Sequence, residues 1–154
     1  MLAFSIEASD IKDFMNKLLK EQTFDFFQVR SVEVKSIAKF EIDGSLNKDY
    51  LNTEASEERK FCRWGELRPY VFNIIKGSQK PKSIKIVFSY EPELAIALNA
   101  NAKALFLNIY FENNAVNCTT ATSQINFSFE KDLDNDWNEF IKTFFKDNSI
   151  VIAF

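Results

Sequence analysis

Residues Ser83–Tyr90 alternate without a break: Ile84, Ile86, Phe88 and Tyr90 fall on one side, Lys85, Val87 and Ser89 on the other. A period of two places these side chains on opposite faces of a pleated strand, with one face apolar. Leu105–Glu112 repeats the pattern, and Ala115–Thr122 follows after Asn113-Asn114. Asn tolerates positive φ, so this Asn pair predicts a two-residue hairpin turn. Gln124–Glu130 alternates through Ile125, Phe127 and Phe129 and reads as a third strand of the meander. Strands of this kind must pair edge to edge, and their apolar face must be covered.

Helical stripes supply the cover. Ile11, Phe14, Met15, Leu18 and Leu19 recur at i, i+3, i+4, i+7 and i+8, after a capping Ser9 or Asp10. Leu67, Val71, Ile74 and Ile75 mark a second helix, with Pro69 tolerable in its first turn and Gly77 at its C-terminal end. Leu133, Trp137, Phe140, Ile141 and Phe144 mark a third, capped by Asp132 or Asp134 and ended by Asn148. Shorter strands are expected at Ala3–Glu7, in two stretches of Phe24–Asp43 with a turn near Lys35-Ser36, at Lys60–Cys62 and at Ile150–Phe154. Pro92–Leu98 suggests one helical turn, and Ser45–Glu58 reads as a long polar loop.

The strand–helix–strand pattern recurs. The expected class is therefore α+β: an antiparallel-rich sheet with about three helices on one face. No Pro- or Gly-rich linker divides residues 1–154, so one domain is expected, with two pseudo-repeats near 1–58 and 59–154 as a variant. The 17 Phe supply ample apolar area for a core.

The chain has no His, which removes the commonest general base and transition-metal ligand. Two Cys, Cys62 and Cys118, do not by spacing require a disulfide. Neither a basic leader nor an apolar run long enough for a membrane span is evident, so a cytoplasmic, non-membrane protein is expected. No cofactor and no metal site is expected. Asp132–Asp136 imitates the start of a calcium loop, but Trp137 stands where Gly is needed and Thr143 where Glu is needed. Asp43, Ser45, Asn47, Asp49 and Glu54 fit the ligand positions better, yet Lys48 occupies the sharp turn.

Charge gives the functional lead. Residues Arg59–Lys85 hold eight bases and one acid, Glu66, a local charge of +7, whereas the remainder carries −10. Such segregation creates local potential that net charge does not report. Arg59, Lys60, Arg63, Arg68, Lys76, Lys80 and Lys82 are the candidate contacts, with Trp64, Tyr70 and Phe72 as stacking surfaces. Trp64, Arg68 and Phe72 lie at i, i+4 and i+8 if the second helix starts early. The competing reading is a solvated helix face followed by a Lys-rich loop, Gln79–Lys82, with the aromatics in the core. Cys62, beside Arg63 and just before a helix, occupies a position that stabilises a thiolate.

Phe14–Leu19, Ile42-Asp43-Gly44, Trp64–Pro69, Ile75-Lys76-Gly77 and Cys118-Thr119-Thr120 together resemble a family of uncharacterised proteins of Gram-positive anaerobic bacteria. That resemblance covers most of the chain and implies no activity. In topology alone, a strand, an amphipathic helix and antiparallel strands occurring twice are similar to half of a DNA sliding-clamp protomer. The clamp likeness implies helices facing DNA, and Lys12, Lys17, Lys20, Arg68 and Lys76 suit that face. The acids of the third helix do not.

The expectation is a non-enzymatic binding protein whose segment 59–85 contacts nucleic acid or an acidic protein surface. A small carboxylate- or Cys-dependent enzyme acting on an anionic substrate is the alternative. An assembly protein with an exposed Phe-rich edge near Ile150–Phe154 is a third possibility.

Overall fold

The computed structural model describes residues 1–51, 59–77 and 80–154. Half of the expected polar loop, residues 52–58, and Gln79 of the Lys-rich loop lie outside the described residues. Seven strands form one sheet: β1 (Ala3–Ile6), β2 (Gln28–Lys35), β3 (Lys39–Asp43), β4 (Ser83–Ser89), β5 (Ala102–Glu112), β6 (Ala115–Gln124) and β7 (Ile152–Ala153). Their order is β3-β2-β4-β5-β6-β1-β7, and every pairing is antiparallel. The helices are α1 (Ile11–Leu19), α2 (Lys48–Leu51), α3 (Trp64–Lys76), α4 (Pro92–Leu98) and α5 (Asp132–Asp147). The expected α+β class holds.

The β5–β6 hairpin turns at Asn113 and Asn114, with φ of 54° and 59°. Two consecutive positive φ values match the twist of the flanking strands. Register then decides which residues go inside. Leu105, Leu107, Ile109 and Phe111 of β5 are buried, as are Ile84, Ile86 and Phe88 of β4. They pack with Phe14, Leu18 and Leu19 of α1, Trp64 and Val71 of α3, and Leu133, Trp137, Ile141 and Phe145 of α5. The alternate residues lie on the other sheet face, where Lys85, Tyr110 and Asn117 stand in one register row.

Aromatic contacts knit the core. Phe24 packs edge-on against Phe14, Phe144 and Phe145, and Phe27 stacks on Phe88 at 5.3 Å. Both buried indoles are satisfied: Trp64 Nε1 donates to the Leu18 carbonyl and Trp137 Nε1 to the Phe106 carbonyl, each at 2.8 Å.

Four local expectations need correction. Gln124–Glu130 is not a strand: β6 ends at Gln124. The alternation has no partner there, because β5 begins at Ala102 and β1 covers only Val116–Thr119 of β6. Pro69 sits in the second turn of α3, not the first, because the helix starts at Trp64. Lys60–Cys62 makes no full strand, only a bridge from Phe61 to Ser45. The final strand is confined to Ile152–Ala153.

Gly44 is required by close approach. A Cβ there would lie 1.7 Å from the Val29 carbonyl oxygen. Gly44 N–H donates to the Arg30 carbonyl, and its own carbonyl accepts from Cys62 N–H. This junction lies beside the register shift between Val29 and Ser31, where β2 bulges against β4.

Candidate functional site

The basic segment divides in two. Its arginines are held by carboxylates. Arg59 donates to both oxygens of Glu66, at 2.5 and 3.1 Å. Glu66 Oε1 also accepts the Arg63 backbone N–H at 2.8 Å, so the one acid of the segment closes the N-terminus of α3 as well. The paired guanidinium, more than any other cause, holds the Glu66 carboxyl below the usual range. The Arg63 side chain reaches Glu91 at 2.8 Å. Arg68 grips Asp25 with two bonds, at 2.8 and 3.0 Å, and donates to the Lys20 carbonyl at 3.3 Å. The Asp25 hydrogen bond, as the leading cause, raises the Arg68 pKa.

The proposed stacking surfaces are largely withdrawn. Trp64 is fully buried and meets Phe88 edge-on, so its ring cannot receive a base. This corrects the sequence expectation: the i, i+4, i+8 spacing of Trp64, Arg68 and Phe72 is real, but its first member points into the core. Phe72 is half-buried beneath Lys20, whose Nζ lies 6.0 Å from the ring centre. Tyr70 on the same helix is the exposed aromatic.

The lysines behave differently. Lys60, Lys76, Lys80, Lys82 and Lys85 are all exposed. Among the described residues, Lys60, Lys76, Lys82 and Lys85 have no carboxylate within salt-bridge distance. Lys80 donates to the neutral Asn114 side chain in the β5–β6 turn. Lys82 N–H bonds the Lys35 carbonyl, and Lys35 faces Lys39 across the β2–β3 pair. Lys35 and Lys39 share Glu33, and Lys39 also meets Glu41 at 2.9 Å.

α3 explains the division. Arg63 bridges to Gln28 at the start of β2, whereas Lys82 precedes β4 beside the end of β2. Thirteen helical residues carry the chain between these ends, about 20 Å at 1.5 Å per residue. Lys76, Lys80 and Lys82 therefore share one end of the sheet, with Lys60 at the other.

Cys62 lacks the activation that its place before α3 suggested, and Cys118 is a buried strand residue. Burial, followed by nearby Glu66, pushes the Cys62 thiol up, overcoming the opposing influence of Arg59. Burial alone pushes Cys118 up to about 12. Among the described residues, no cluster of three Cys, Asp or Glu side chains has the proximity to hold a metal ion. Asp132 and Asp134 instead occupy the first turn of α5, where the helix dipole favours them. Among the described residues, no helix is long and apolar enough to cross a membrane.

Sequence reasoning missed Arg30. Its guanidinium lies 4.0 Å from the Phe61 ring centre and 5.1 Å from that of Phe106, and Nε donates to Ser89 Oγ. Phe61 and Phe106 are remote in sequence, so no local signal announces the arrangement.

The fold is thus an α+β domain with one helix-covered sheet and surface charge divided between the sheet's ends. Residues 17–153 match the family of unknown function DUF5721, and the chain belongs to that family. No curated protein and no solved structure matches the chain.

Proposed function

We propose that this is a non-enzymatic binding protein that engages an acidic protein surface through the lysine end formed by Lys76, Lys80 and Lys82. The supporting observation is the contrast within one basic segment. Its three arginines are committed to Glu66, Glu91 and Asp25, while its lysines are exposed and have no carboxylate partner among the described residues. Unpaired exposed lysines lose little on meeting an anionic partner, because no internal ion pair must break first. Lys60 stands apart at the opposite end of the sheet.

An acidic protein is favoured over nucleic acid for two reasons. Trp64 is buried and Phe72 half-buried, so of the three expected stacking rings Tyr70 is the exposed one. The clamp-like arrangement also lacks support from charge: Arg68 is paired to Asp25, Lys17 to Asp13, and α5 bears Asp132, Asp134, Asp136 and Glu139. An enzyme built on Cys62 has less support still, because its thiol is raised rather than lowered. A cytoplasmic, bacterial setting is part of this proposal and rests on the sequence reading.

The test is fluorescence anisotropy with a labelled polyglutamate peptide and labelled single- and double-stranded DNA and RNA, at low and moderate salt. Wild type is compared with K76E/K80E/K82E and, as a control, K60E. Salt-sensitive peptide binding lost in the triple variant alone supports the proposal. Nucleic-acid binding with the same loss transfers the surface to a different partner, and no binding by either class overturns it.

A further inference from the structure

The failed strand after β6 is a built feature. Residues Ile125–Glu130 form a loop in which Phe127 and Phe129 are 80% and 90% exposed. Their rings pack edge-to-face at 4.8 Å, yet neither joins the core. Two exposed Phe carry a hydration cost that folding does not relieve.

The loop is nevertheless held firmly. Ile125 N–H donates to the Asn101 carbonyl. Asn101 then clasps Asn126 twice, from its Nδ2 to the Asn126 carbonyl and from the Asn126 N–H to its Oδ1, at 2.9 and 2.8 Å. Gln124 does the same to Ser128, and Ser128 Oγ accepts the Glu130 N–H. These bonds hold the backbone at Ile125, Asn126, Ser128 and Glu130, and the two rings project outward as an edge-to-face pair. Preorganised aromatic anchors of this kind are what binding surfaces use, because little ordering entropy remains to be lost.

The same polar seam reaches a groove. Asn99, two residues before Asn101, donates to Asp136 at 3.0 Å. Asp136, Glu139, Leu98, Phe140 and Thr143 line an open depression of about 380 Å³ between α4 and α5. Apolar Leu98 and Phe140 stand there beside Asp136 and Glu139, and Lys142 pairs with Glu139 at 3.4 Å. Residues 91–103 and 125–142 together hold seven acids and three bases, so the surface stays net negative although Lys142 pairs with Glu139. A partner covering the Phe pair must therefore meet a negative rim, which excludes acidic surfaces and favours cations beside apolar side chains.

We infer that the Phe127–Phe129 pair and the adjoining α4–α5 groove form a docking surface for a basic, amphipathic helical segment of another protein. Its apolar stripe covers Phe127, Phe129 and Phe140, and its Lys or Arg residues face Asp136 and compete with Lys142 for Glu139. This surface lies at the sheet end opposite Lys76, Lys80 and Lys82, because β6 ends at Gln124 while the β5–β6 turn holds Lys80. It is independent of the lysine surface.

The experiment uses three labelled helical peptides: a Lys/Leu amphipath, its Glu/Leu counterpart and a Lys/Ser control without an apolar stripe. Anisotropy is read for wild type, F127S/F129S and D136K/E139K. The altered side chains are outside the core, and circular dichroism checks that each variant is folded. The Lys/Leu peptide is expected to bind wild type and to weaken about tenfold or more in each variant, while the other two peptides do not bind. Absence of Lys/Leu binding, equal binding of Lys/Ser, or indifference to F127S/F129S each overturns the inference. Sedimentation velocity of the protein alone adds a further arm. Self-association abolished by F127S/F129S would assign the surface to a second copy and overturn the basic-segment occupant.

Discussion

Arg68 on α3 holds Asp25 by two parallel hydrogen bonds, 43 residues back in the chain. The pair ties α3 to the turn that carries Phe24 and Phe27 into the core. Both side chains are mostly shielded, so the bond is less screened than an open surface pair. R68A is expected to destabilise the fold by about 1–2 kcal/mol. A double-mutant cycle with D25A, read by urea unfolding, should return a coupling of about 1 kcal/mol. A coupling near zero would mean that the pair is incidental.

G44A addresses a steric relationship. The added methyl would meet the Val29 carbonyl at 1.7 Å, with Arg30 oxygen close behind. Backbone must move, and with it the bonds from Gly44 to Arg30 and Cys62. The expected loss is about 2–4 kcal/mol, seen as a lower urea midpoint. G77A is the control: its nearest neighbour would lie at 3.4 Å, so it should change stability little.

Glu66 sets an acid limb. Its folded pKa lies below the ordinary value of 4.5, chiefly through the Arg59 hydrogen bond. A depressed carboxyl contributes stability that is complete above that ordinary value and is lost as pH falls through the folded pKa. R59M is therefore expected to flatten the fall of stability with acidification below pH of about 4.5, while K82M leaves it unchanged. Urea midpoints collected from neutral to acidic pH give the comparison; parallel curves for R59M and wild type would refute the linkage.

The thiols offer a chemical check. With Cys118 pushed up to about 12 and buried, and Cys62 raised and half-buried, neither is largely thiolate at neutral pH. Alkylation of the native protein should be slower than for a free cysteine at both positions. Cys118 should become reactive only in denaturant, and Cys62 should accelerate first as pH rises. Rapid native labelling of Cys62 at neutral pH would revive the activated-thiol reading.

Periodicity made much of this fold legible. β4, β5, β6 and their Asn-Asn turn follow from strict alternation, and α1 and α5 from clean apolar stripes. Strand order was not legible, because placing β1 between β6 and β7 is a long-range choice without a local mark. Gln124–Glu130 shows the same limit in reverse: the alternation is present but no strand is free to pair with it. At the charged segment, a count of bases cannot see Asp25 or Glu91. Arg68 and Arg63 lie 43 and 28 residues from those partners. The lysines were legible as exposed charge because no carboxylate among the described residues pairs with them.

The seating of β1 has a consequence for the order of assembly during synthesis. Ala3–Ile6 pairs with Val116–Thr119 on one side, and its Ser5 and Ile6 pair with Ala153 and Ile152 on the other. A ribosome delivers the first strand more than a hundred residues before either neighbour exists. Phe4 and Ile6 must stay exposed, or be sheltered temporarily, until Val116–Thr119 has emerged. Ala3–Ile6 is thus locked in place long after it emerges, and chains halted before residue 115 would carry an orphan hydrophobic strand.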